Sequence, residues 1–70
     1  MNAFVIILVL IFPNGDRQEL PREWISASSA SMCQRHADRR AEEARQQQAD
    51  AVRRLGATVR GTCVMQGAML

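Results

Sequence analysis

Apolar residues fill positions 4–12 without a break, and no later stretch of the chain repeats such a run. Val5, Ile6, Ile7, Val9 and Ile11 are β-branched, which favours extended backbone, and the run has strand length. A membrane-spanning helix needs about 20 apolar residues, and Pro13-Asn14-Gly15-Asp16 stops this run too early. A secretory signal needs a basic leading region, and no Lys or Arg precedes Arg17. The run therefore reads as a buried strand, with a membrane or export segment as the alternative. Pro13-Asn14-Gly15-Asp16 then reads as a turn, because Asn and Gly tolerate positive φ. Residues 17–25 return as a more polar extended segment. Pro21 cannot donate to a ladder, which makes this an edge strand or a looser arm.

Ser26, Ser28, Ser29 and Ser31 offer N-caps for a long helix over residues 28–55, rich in Ala, Arg, Glu and Gln. Gly56 closes it as a residue suited to left-handed backbone. Ala37, Ala41, Ala44, Gln48, Ala51 and Leu55 recur at spacings of three and four, flanked by Val52 and Cys33, and define the inward face. The outward face carries Arg39 with Glu43 and Asp50 with Arg54, spaced as helical ion pairs on a solvated surface. Residues 57–65 form a last strand, with Val59, Gly61, Cys63 and Met65 on one face and Thr58, Arg60, Thr62 and Val64 on the other.

Element order gives topology. The fold is α+β, ββαβ, with a three-stranded antiparallel sheet in the order 2-1-3 and one long helix on one face. The apolar strand is central, which accounts for apolar residues at both its even and its odd positions. One helix covers only one of those faces. The other is left exposed, and exposed apolar faces mark association sites. The expectation is a homodimer or partner complex. Of Ile6→Asp and Ile7→Asp, the one facing the partner gives a folded monomer and the other unfolds the chain.

At 70 residues the chain is a single small domain, too short for a multidomain enzyme, a dinucleotide-binding fold or an α/β barrel. Nine basic residues, all Arg, stand against seven acidic ones, for a net charge of +2. Arg35, Arg39, Arg40, Arg45, Arg53 and Arg54 are interrupted by Asp38, Glu42, Glu43 and Asp50, unlike the concentrated basic face of a nucleic-acid binder. With no Tyr and one Trp, base-stacking platforms are scarce too. Trp24 is a candidate interface anchor.

Cys33 and Cys63 could close a loop as a disulfide in an oxidising compartment. Along a straight helix and strand, Cys33 lies about 34 Å and Cys63 about 23 Å from Gly56. That mismatch forbids the bond unless the helix kinks or starts late. Cys33, His36 and Cys63 would make three zinc ligands, but no fourth is evident. The Cys33–His36 pair lacks an orienting third group for nucleophilic catalysis. No metal, cofactor or enzymatic activity is expected.

The succession of an apolar strand, a Pro13-Asn14-Gly15 turn, a Ser-rich entry to a helix carrying Cys33, and a final strand with Cys63-Val64 resembles small uncharacterised proteins of bacteriophages and prophages. The resemblance covers most of the chain and brings no catalytic residues. It implies an accessory protein in the host cytoplasm that binds and inhibits a host or defence protein, as CRISPR inhibitors do. The expected interface uses Ile6, Ile7, Leu8, Val9, Trp24, Arg39 and Arg40. A membrane-associated or exported protein anchored by residues 4–12, and a nucleic-acid binder using the helix arginines, are the alternatives.

Overall fold

The computed structural model describes residues 2–68. Its elements are β1 (Asn2–Ile11), β2 (Arg17–Glu19), β3 (Glu23–Ala27), α1 (Ala30–Gln47), α2 (Ala49–Arg54) and β4 (Thr58–Ala68). The architecture is the expected α+β arrangement of one antiparallel sheet and one long helix. Strand β1 is central and pairs antiparallel with β4 along its whole length. On its other edge it pairs with β2 through Val9–Ile11 and with β3 through Asn2–Ile6. Pro21 sits in the gap between β2 and β3, so the single extended segment expected there is two short strands in line. Gly15 takes a positive φ of 93° in the turn after β1. The Asn14 Oδ1 accepts from the Asp16 amide at 3.0 Å and fixes that turn.

The even residues of β1 face the helix. Phe4 and Ile6 pack with Ala27, Cys33 and Ala37, while Leu10 packs with Ala41, Ala44, Ala57 and Val59, and Leu8 joins both groups. The buried stripe of α1 is Cys33, Ala37, Ala41 and Ala44. These small side chains let the helix come very close to β4. A Cβ on Gly61 would lie 2.6 Å from the Ala37 carbonyl oxygen, inside any real contact distance. Glycine there is a packing requirement, whereas at Gly56 the requirement is conformational, its φ of 69° lying in the left-handed region.

Ser29 caps α1, its hydroxyl accepting from the Met32 amide at 3.2 Å. The expected unbroken helix is interrupted at Gln48, where φ −103° and ψ 34° leave helical values. The break lets the chain turn before β4, and Cys33 and Cys63 are joined with their Cα atoms 6.0 Å apart. The straight-helix arithmetic fails for that reason. Leu55, expected on the inward face, is 60% exposed at the C-cap of α2, whereas Ala51 and Val52 do pack on the core. Glu43 pairs with Arg40 at 3.0 Å rather than with Arg39, while Asp50 and Arg54 approach to 4.0 Å as expected.

Candidate functional site

The odd residues of β1 lie on the face that no helix covers. Cα partners in an antiparallel ladder share a face, so the register assembles this surface row by row. Val5 lies between Trp24 and Val64, Ile7 beside Thr62, Val9 between Glu19 and Arg60, and Ile11 between Arg17 and Thr58. An apolar central stripe is thus flanked by Trp24 and Val64 at one end and by charged or hydroxyl side chains at the other. Val5 is wholly buried within it, whereas Trp24 is 64% exposed. Ile7, Val9 and Ile11 are half-buried.

The residues expected at an interface therefore divide. Ile7, Val9 and Trp24 belong to the open face. Ile6 is 1% exposed under the helix, and Leu8 packs beside it, so neither faces outward. The period of two along a strand sends alternate residues to opposite sides, and an unbroken apolar run hides which side is which. Arg39 is exposed on α1. Arg40 is engaged within the fold, donating through Nε and an Nη to the two carboxylate oxygens of Glu23 at 2.8 and 3.0 Å. Its guanidinium is held above its ordinary pKa by the hydrogen bond to Glu23 and then that to Glu43. This fork ties α1 to β3. Arg22 is likewise pushed up by its hydrogen bond with Glu19, on the rim of the open face. Val5, Ile11, Glu19, Arg60 and Val64 belong to the same surface, and strand register is the signal that collects them.

The outer edge of β4 is capped from the helix. Arg45 donates to the Val59 carbonyl at 3.2 Å and Gln34 to the Gly61 carbonyl at 3.3 Å. Unpaired carbonyls on an edge strand invite another strand, and these two are already taken. No buried side-chain nitrogen or oxygen among the described residues lacks a partner. What the fold leaves unsatisfied is apolar area. Cys33 and Cys63 are bonded to each other, which removes their thiolates from metal binding or nucleophilic attack in this form. No cluster of three or more His, Cys, Asp or Glu among the described residues is arranged to hold a metal. No helix among them is long and apolar enough to cross a membrane.

Comparison with known proteins adds no further constraint: no family model, curated protein or solved structure matches the chain.

Proposed function

We propose that this chain is a non-enzymatic protein-binding module that works through the open face of its sheet. The observation that carries this reading is the half-buried stripe Ile7–Val9–Ile11 on the side of the sheet that no helix covers, ended by an exposed tryptophan and rimmed by charge. An apolar centre with an aromatic anchor and a polar rim is the anatomy of a protein interface. The finer reading follows the resemblance to phage accessory proteins: the module binds, and thereby inhibits, a host or defence protein. In a reducing cytoplasm Cys33 and Cys63 would then act as small apolar core residues. An oxidising compartment would keep them joined.

The reading is tested with three immobilised baits: the native chain, Ile7→Asp and Arg39→Glu. Proteins that dock on the sheet, a second copy of this chain included, are lost from Ile7→Asp and kept by Arg39→Glu. Loss from Arg39→Glu with retention by Ile7→Asp moves the docking surface to the helix and overturns the reading.

A further inference from the structure

The open face has a pattern of its own that names an occupant. In the row through Val9, Glu19 stands on one side of β1 and Arg60 on the other. Consider a second copy laid face to face, related by a two-fold axis that runs along β1 between the two sheets. Left and right are exchanged, so each Glu19 lies opposite the other copy's Arg60, and the charge pair forms twice. The same operation sets Trp24 opposite Val64, Arg17 opposite Thr58, and the stripe Val5, Ile7, Val9 and Ile11 against itself. No like charges meet among these rows. A two-fold axis across the strands does not bring Glu19 and Arg60 together. Arg60 has no ion-pair partner among the described residues, and Glu19 has only its exposed neighbour Arg22.

We infer that the partner of the open face is a second copy of this chain, packed sheet on sheet with β1 over β1 and sealed by reciprocal Glu19–Arg60 pairs. The inference rests on the protein-binding reading of that face and names its occupant. A closed two-fold interface requires a surface complementary to itself, and this row provides it. Aligned sheets pack about 10 Å apart with strand directions within about 30° of each other. The Val9 row lies two residues from the end of β1, about 8 Å from its middle, so that rotation offsets Glu19 and Arg60 by about 4–5 Å, a gap their long side chains span. Three strand columns along β1 give a footprint of roughly 33 by 14 Å. Counted on both copies, that is roughly 900 Å² before side-chain relief is added, just under the ~1,000 Å² that a specific interface should clear, so the dimer is of the small, weaker class. The molecule is elongated, 45 by 19 by 16 Å along its principal axes. The Val59 and Gly61 carbonyls on the outer edge of β4 are already taken by Arg45 and Gln34, so those two do not recruit another strand.

The test uses charge reversal and mixing. Glu19→Arg sets Arg against Arg at both contacts, and Arg60→Glu sets Glu against Glu. Each variant alone weakens self-association about tenfold or more, because like charges face each other. Mixed one to one, the two variants form a heterodimer in which both contacts are again of opposite sign. Light scattering then reports twice the 7.8 kDa chain mass for the native protein and for the mixture, and lower masses for the separate variants. Both positions are exposed, so folding is retained and is checked by circular dichroism. A native protein that stays monomeric at tens of micromolar overturns the inference, and so does a mixture no tighter than its components. In either case a bait comparison in which Ile7→Asp still loses its ligands leaves the protein-binding reading standing, so the two failures are distinct.

Discussion

Ile6 and Ile7 are adjacent, chemically identical, and placed in opposite situations. Ile6 is sealed under α1, whereas Ile7 belongs to the open face. Ile6→Asp puts a carboxylate into an apolar core without a partner, a cost of several kcal/mol that a small domain does not survive. The expected outcome is an unfolded chain by circular dichroism, whereas Ile7→Asp keeps the native spectrum. Native spectra from both variants would contradict the placement of β1. Gly61 supplies a second test at this scale. Gly61→Ala forces α1 away from β4, at a cost of about 1–3 kcal/mol, read as a lower denaturant midpoint. No loss of stability would mean that the helix and strand do not approach as closely as 2.6 Å from that Cβ position to the Ala37 carbonyl implies. The sequence pattern puts Val59, Gly61 and Cys63 on one face but carries no sign of how closely the helix backbone approaches Gly61. That depends on the small side chains at Cys33, Ala37, Ala41 and Ala44 acting together.

At the scale of elements, α1 and β4 are held by the Cys33–Cys63 bond and by the hydrogen bonds from Arg45 and Gln34. A bond closing a loop of sequence separation 30 restricts the unfolded chain by about 3–4 kcal/mol in the chain-entropy model. Reduction should lower the melting temperature clearly, while the solution mass stays unchanged because the bond lies on the helix side of the sheet. A mass that changes with reductant before unfolding begins would contradict that separation. Ser29 contributes more modestly: Ser29→Ala removes the cap of α1 and should cost about 1 kcal/mol, checked by urea unfolding. Element types, strand order and the role of Gly56 are legible in the chain because periodicity and turn chemistry are local. The break at Gln48 is not, since Gln is a good helix former and nothing nearby signals a stop. Pro21 signals an irregular edge, but only the register with β1 resolves it into β2 and β3.

At the scale of the whole molecule, a helix layer covers one side of a sheet whose other side is also apolar at its centre. Two layers complete many domains, but they complete this one only if its open face is polar, and Ile7, Val9 and Ile11 make it otherwise. An apolar face beyond the reach of the helix follows from the unbroken run at positions 4–12. Its composition follows only from the register, which adds Glu19, Arg60 and Val64 to the expected Ile7, Val9 and Trp24 and removes Ile6 and Leu8. Trp24, the single tryptophan, reports on this surface. Its fluorescence should be shielded from acrylamide at high protein concentration and become accessible on dilution. Equal quenching at all concentrations would show that the face stays bare.

Everything turns on the open face being where two copies of this chain meet. The decisive comparison is the light-scattering mass of the native chain and of Ile7→Asp, with the fold of each checked by circular dichroism. The prediction is a native mass of twice 7.8 kDa and a folded Ile7→Asp with the mass of one chain. Equal masses for two folded proteins would contradict it.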